Sequence, residues 1–284
     1  MTERIIEAKN IHKTYDTGNV MVEALKGINL RIEKGEMVGI MGPSGCGKTT
    51  MLNVLSGLDD ASEGDVQIEG RSLFNLTDDE KTLLRSQRMG FIFQFFNLLP
   101  VLTSSENVEL PLLVAGVKPK EARRRAQEML ELVGLGDKGD SKPSELSGGQ
   151  QQRVTIARSL VNNPAIIWAD EPTGNLDSER SSEIIDLLVE LNKKNGQTFI
   201  IVTHDPKVGQ RMDRIIWMES GKIVDDGRSS TSDRLKKNLA CLIEQNKDGV
   251  VQTSDAPGTE SEAVSAGREG DQESQEPLPG ATAG

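Results

Sequence analysis

Gly42-Pro43-Ser44-Gly45-Cys46-Gly47-Lys48-Thr49 fits the pattern G-x-x-x-x-G-K-[ST], follows the strand-like EMVGIM and precedes the helical TTMLNVLSGL. A glycine-rich loop between a strand and a helix is the context in which this motif holds phosphate groups. The glycines let backbone N–H groups curl around the phosphates, and the following helix turns its positive end toward them. Lys48 would span the charge of the β- and γ-phosphates, the Thr49 hydroxyl would ligate Mg²⁺, and Thr50 ends the nucleotide-binding stretch. Cys46 reads as a passive loop residue, although its alkylation would block a nucleotide sterically. On this loop alone, kinases, GTPases and motor ATPases all remain open.

Outward from the loop, β-branched runs alternate with helical stretches between Ile5 and about Val224, the trace of an α/β domain with a parallel central sheet. IIEAKNIHKTY, GINLRIEKGEMVGIM and GDVQIEG read as strands with turns at Lys34-Gly35 and Glu69-Gly70, which predicts an antiparallel β portion beside the core. From Ser104 to Val133 the period is helical, with an amphipathic face after Lys118-Pro119, so a helical subdomain over about 95–160 is expected within a domain spanning 1–228. AIIWAD and QTFIIVTH are short continuous apolar runs typical of strands buried on both faces, and their polar C-terminal ends should face a ligand crevice. RIIWMESGKIVDDG reads as a hairpin around Ser220-Gly221. Leu235, Leu239, Leu242 and Ile243 suit a helix within 229–248, and the acidic, Gly/Pro/Ser-rich stretch 249–284 is expected to be disordered.

Composition narrows the function. A net charge of −11 over 284 residues repels polyanions, which argues against a nucleic-acid partner. Two cysteines far apart, Cys46 and Cys241, build no disulfide framework and point to a reducing compartment. The sequence holds no run of about 20 apolar residues and MTERIIEAKN is no secretory signal, so any membrane spanning is expected from another chain.

Ser147-Gly148-Gly149-Gln150, after Leu146, has capping-box spacing before the helical QQQRVTIARSLV. Two glycines behind the cap also leave bare N–H donors at the positive end of a helix, suited to an anion. Here the chain resembles the ATP-binding cassette (ABC) family, whose signature is LSGGQ. The resemblance implies a P-loop NTPase core with a mixed sheet, an antiparallel β subdomain and an inserted α-helical subdomain, working as a dimer. In that family the signature of one copy caps the γ-phosphate held by the P-loop of the other.

The other motifs occur once each and in order. AIIWAD ends in Asp170 and Glu171 follows at once, the Walker B pattern, where Asp170 would hold Mg²⁺ and Glu171 would act as general base. Resemblance implies further roles: Asp177 in a D-loop reaching across the dimer, His204 as the switch histidine beside the γ-phosphate, and Gln94 in a Q-loop sensing Mg²⁺ and nucleotide. Tyr15, the sole tyrosine, occupies the position whose aromatic ring stacks on adenine, with a core tyrosine as the alternative.

FIFQFFNLLPVLTSSENVELPL together with ADEPTGNLDS is similar to the lipoprotein-releasing and macrolide-exporter group, LolD- and MacB-like. That implies an ATPase driving a separate permease, peripheral on the cytoplasmic face of the cell membrane, with a coupling helix docked between Gln94 and Leu102. An FtsE-like regulator that transmits force to a periplasmic partner without transport shares the same motifs and stays open.

Overall fold

The structure, a computed structural model, describes residues 3–16, 18, 20–227 and 240. The helix expected within 229–248 and the stretch 249–284 lie outside the described residues, Ala240 excepted.

Alternation along the second half of one strand shapes the first sheet. Ile28, Leu30 and Ile32 of β2 (Met21–Glu33) are buried two residues apart, as a half-buried strand requires, and they face Ile6, Ala8 and Ile11 of the antiparallel β1 (Arg4–Asp16). The chain then crosses to β3 (Met37–Met41), turns through the phosphate-loop sequence into α1 (Lys48–Leu55), and returns to the first sheet as β4 (Glu63–Ile68) and β5 (Arg71–Ser72). The order in that sheet is β2-β1-β4-β5, antiparallel throughout.

The rest of the chain is α2 (Asp78–Arg88), β6 (Met89–Phe93), α3 (Ser104–Val114), α4 (Pro119–Leu132), α5 (Gly148–Leu160), β7 (Ile166–Asp170), α6 (Ser178–Asn195), β8 (Thr198–Val202), the single turn α7 (Pro206–Gly209), β9 (Arg214–Glu219) and β10 (Lys222–Gly227). The second sheet has the order β10-β9-β3-β8-β7-β6, parallel except for the final β9–β10 hairpin. This is the mixed α/β fold the sequence predicts.

Both faces of the parallel strands are buried, which explains their unbroken apolar runs. Val38, Ile40, Trp168, Ile200 and Val202 pack against Met51, Leu52 and Leu55 of α1 and the inner face of the antiparallel sheet. The alternate residues Met37, Met41, Ile167, Ala169, Phe199 and Ile201 pack against α4, α5 and α6, through Leu130, Val154, Ala157 and Leu188. The phosphate-loop helix and the signature helix are therefore held on opposite faces of one sheet.

Two local features add to the sequence reading. The helical stretch over 104–133 is two helices, because Gly116 adopts a left-handed conformation (φ +81°) and Pro119, at the first position of α4, donates no N–H to a continuing helix. Helix α2 is unanticipated: of DDEKTLLRSQR only Leu84 is buried, so no apolar period announces it, and a Thr77/Glu80 capping box starts it instead.

The end of α2 is tied to the β4–β5 turn. Arg88 meets Glu69 with both ends of its guanidinium, Nε donating to Oε2 at 2.7 Å and Nη2 to Oε1. The Arg88 bond, opposed by burial, holds the Glu69 carboxyl below the usual glutamate range. A depressed folded-state pKa contributes stability above the unfolded value of about 4.3 and loses it as pH falls through the folded value. Arg88→Met should cost about 1 kcal/mol at pH 7, and thermal melts should show that difference closing only below about pH 4.

Candidate active site

The phosphate loop leaves the C-terminal end of β3 and is shaped by close backbone approach. A Cβ on Gly42 would lie 2.1 Å from the Met218 carbonyl oxygen, and one on Gly47 would lie 2.7 Å from that of Ala24. Both glycines also have positive φ, so no other residue fits either position without moving β9 or β2. The turn of the β9–β10 hairpin braces the loop from below, with Gly221 N–H donating to the Cys46 carbonyl at 3.0 Å and Lys26 N–H to the Gly221 carbonyl at 2.9 Å. Ser44, Gly45, Gly47, Lys48, Thr49 and Thr50 line a cleft of about 450 Å³, together with Glu171.

Glu23, Ala24, Lys26, Ser220 and Gly221 also line this cleft, and sequence reasoning missed them. The Ser220-Gly221 turn was legible as a turn; its place under the loop depends on strand order, which no local pattern encodes.

Lys48 is buried, and its ammonium donates to the carbonyls of Gly42 (2.9 Å) and Pro43 (3.0 Å), curling over its own loop. Thr49 Oγ1 donates to Asp170 Oδ1 at 3.1 Å across 121 residues of sequence, so the first turn of α1 and the end of β7 meet. Burial pushes the Asp170 carboxyl up, with Glu171 adding to the shift and the Thr49 bond opposing it. An adjacent hard cation would remove that cost, and a hydroxyl beside a carboxylate is the oxygen donor set that Mg²⁺ takes. Among the described residues no cluster of three or more His, Cys, Asp and Glu could hold a metal, so a cation here would complete its shell from phosphate and water.

Glu171 follows Asp170 in a left-handed conformation (φ +46°), uncommon for a residue with a side chain. Backbone bonds over-determine it: Glu171 N–H donates to Val202 O at 2.9 Å and Gly174 N–H to Glu171 O at 3.0 Å. Its side chain meets His204, Nδ1 to Oε1 at 2.9 Å. That bond, partly offset by burial, raises the His204 pKa and favours the imidazolium. Cys46 is buried, and burial pushes its thiol up, which keeps it unreactive.

Gln94 follows Phe93, which lies opposite Asp170 in the β6–β7 register. Its amide packs against Gly174, where a Cβ would come within 2.8 Å of Nε2, and Asn175 Nδ2 donates to its carbonyl at 2.8 Å. Among the described residues no hydrogen bond joins Gln94 to Thr49 or Asp170. The following segment is strained, with Phe96 and Asn97 both at positive φ. Arg158 of α5 pins it by donating to the carbonyls of Asn97 (2.6 Å) and Phe96 (2.9 Å). Asn107, fully buried, caps the next turn: its Oδ1 accepts from Leu99 N–H at 2.8 Å, and its amide group donates to the carbonyls of Leu99, Leu102 and Thr103.

The signature segment lies elsewhere. Ser147 caps α5, accepting from Gln150 N–H while Gln150 Oε1 accepts from Ser147 N–H at 2.9 Å. Gly148 and Gly149 sit against Leu176 and Arg180, so the segment adjoins Asp177, which caps α6 by accepting from Arg180 N–H at 2.9 Å. None of residues 146–150 lines the phosphate-loop cleft. Tyr15, next to the last residue of β1, is 37% exposed, which rules out the core alternative, and its hydroxyl donates to Asp59 Oδ2 at 2.8 Å.

The family model described as "ABC transporter" matches residues 25–174. The chain belongs to the ABC transporter family. As an ABC ATPase it is 44% identical over 228 residues to the lipoprotein-releasing system ATP-binding protein LolD of Saccharophagus degradans, covering 80% of this chain and all of that one. It is 47% identical over 221 residues to the macrolide export ATP-binding/permease protein MacB of Syntrophobacter fumaroxidans, covering 77% of this chain but only 31% of that longer protein. The cassette MJ0796, solved as a dimer in a post-hydrolysis state bound to ADP and Pi, superposes with a TM-score of 0.74 at 46% identity, over 79% of this chain and 98% of that one. This ABC ATPase is thus an ATP-hydrolysing, ATP-binding subunit of the LolD/MacB group.

Proposed function

We propose that two copies of this chain close around two Mg-ATP, each phosphate loop completed by Ser147–Gln150 of the other copy, and that closure drives a membrane permease from the cytoplasmic face. The separation of the phosphate-loop cleft from the signature segment within one chain carries this reading, because it leaves two incomplete halves. The dimeric state of the related MJ0796 cassette supports it. Among the described residues no helix is long and apolar enough to cross a membrane.

In this reading Lys48 and the loop amides hold the phosphates, and Glu171, oriented by His204, takes the proton of the attacking water. Thr49, Asp170 and Gln94 would hold Mg²⁺, which when bound neutralises phosphate charge. Asp177 stands beside the signature to report on the partner copy, and Tyr15 carries the adenine.

The permease contact falls on the strained segment after Gln94. Phe95 and Val101 are 73% and 75% exposed, and Leu58, Phe91, Phe93 and Asn97 line a largely apolar cleft of about 450 Å³ beside them. Such a groove suits an amphipathic helix from the permease, and Arg158 links it directly to α5.

A bulky residue at Ser147 tests the composite site. In copies carrying Glu171→Gln, added ATP should double the mass measured by light scattering. Ser147→Arg in that background should abolish the dimer while equilibrium ATP binding to the single copy persists. Undiminished dimerisation would remove the reading.

A further inference from the structure

The surroundings of Tyr15 are more specific than a stacking platform alone requires. Lys13 and Tyr15, two residues apart on β1, share one face of the strand. Lys13 Nζ lies over the Tyr15 ring, 4.9 Å from its centroid. The same ammonium donates to Asp59 Oδ1 at 2.6 Å and to the Asp60 carbonyl at 2.8 Å, while the Tyr15 hydroxyl takes the other carboxylate oxygen, Asp59 Oδ2. Lys13, Asp59 and Tyr15 therefore close a ring of contacts, with the Lys13 side chain only 12% exposed and that of Asp59 31%.

Asp59 is in turn fixed to the helix that begins at the phosphate loop. Leu58 and Asp59 N–H groups both donate to the carbonyl of Asn53 in α1, at 2.9 and 3.1 Å. Lys48 and Thr49 open that same helix, so a short rigid path runs from the Tyr15 hydroxyl to the phosphate cradle. Burial and the Asp59 contact, opposed by a hydrogen bond with Thr50, push the Tyr15 phenol up, which keeps it a donor at neutral pH. Burial opposes ionisation of Asp59, but the bonds from Lys13 and Tyr15 prevail and hold its carboxyl below the usual range.

We propose that Lys13 and Asp59 are positioning residues for the nucleobase: Asp59 fixes the Tyr15 ring to α1, and Lys13 covers one ring face so that adenine stacks on the other. The distance from base stack to phosphate cradle is then set before ATP arrives, so less ordering is needed on binding. A nucleoside triphosphate benefits from this frame, and a bare polyphosphate does not. The inference rests on the reading of Tyr15 as the adenine platform.

The test compares equilibrium binding of ATP with that of inorganic tripolyphosphate, which has no base, to the full chain in the presence of Mg²⁺. Tyr15→Phe removes one oxygen and keeps the ring; Lys13→Met keeps most of the aliphatic stem and removes the charge. Each should weaken ATP about three- to tenfold, the worth of one hydrogen bond or cation–ring contact, and leave tripolyphosphate within about twofold. Asp59→Ala should do the same, and adding Tyr15→Phe to it should cost less than the two single losses combined, because they share the Asp59–Tyr15 contact.

Wild-type ATP affinity in Tyr15→Phe and Lys13→Met, with Tyr15→Ala still defective, overturns the positioning role and leaves the platform reading standing. Wild-type ATP affinity in Tyr15→Ala removes the platform reading itself. Equal losses for ATP and tripolyphosphate would place Lys13 and Asp59 in general folding support, which also overturns the proposal.

Discussion

Glu171→Gln is expected to lower single-turnover ATP hydrolysis by about 10²- to 10⁴-fold, the range a positioned general base contributes. The replacement is nearly isosteric, and its amide oxygen can still face His204 as Glu171 Oε1 does at 2.9 Å. What disappears is the group able to take a proton from water. ATP binding should persist, because its determinants are separate: the buried Lys48, the backbone of residues 42–47 and the Thr49–Asp170 pair are untouched. The left-handed backbone at position 171 would also be unchanged, since both side chains have a Cβ and the bonds to Val202 and Gly174 are backbone ones. Quenched-flow hydrolysis set beside equilibrium nucleotide binding separates the two effects. Hydrolysis near the wild-type rate would mean that another group handles the proton.

The predictions at Glu171 and Ser147 concern residues that short-range sequence logic could find. The phosphate loop declares itself because strand, glycines, Lys48 and helix are contiguous, and the capping box of Ser147 and Gln150 spans only three residues. The parallel strands were legible for a similar reason, since burial on both faces leaves continuous runs such as IIWAD. Helix α2 is not legible because one buried leucine makes no period, and a Thr77/Glu80 capping box alone does not distinguish a helix start from a polar turn.

What the sequence could not supply is the set of long-range contacts. Tyr15 meets Asp59 across 44 positions and Arg158 meets Asn97 across 61. In both cases the residue types are ordinary for exposed strands, loops and helices, so only the fold singles them out. Asn107 is a similar case: a polar residue at full burial reads as an anomaly until the unpaired backbone of the turn after Gln94 is placed around it. The composite site proposed above is legible only through the family resemblance, because no local pattern states that Ser147 lies away from Lys48 in its own chain.

Gly90→Ala should be strongly destabilising, at about 3 kcal/mol or more, the upper end for overpacking. Gly90 lies on β6 opposite Ile167, in an ordinary strand conformation, so backbone strain is not the cause. A Cβ there would sit 2.2 Å from the carbonyl oxygen of Ser159 and 2.8 Å from Ile167 Cδ1. The isoleucine tip can rotate, but the carbonyl belongs to the backbone of α5 and can yield only if the helix moves. Ser159 is next to Arg158, whose guanidinium holds the carbonyls of Phe96 and Asn97, and α5 begins at the signature. Displacing α5 would therefore disturb the segment proposed to face the permease and the signature together. Urea titration should show a midpoint lowered by the full destabilisation with an unchanged slope. In folded Gly90→Ala protein, ATP binding to the single copy should survive while ATP-driven dimerisation is lost, because the phosphate loop is carried by α1 on the opposite face of the sheet. Loss of both functions at once would mean that the two faces do not move independently.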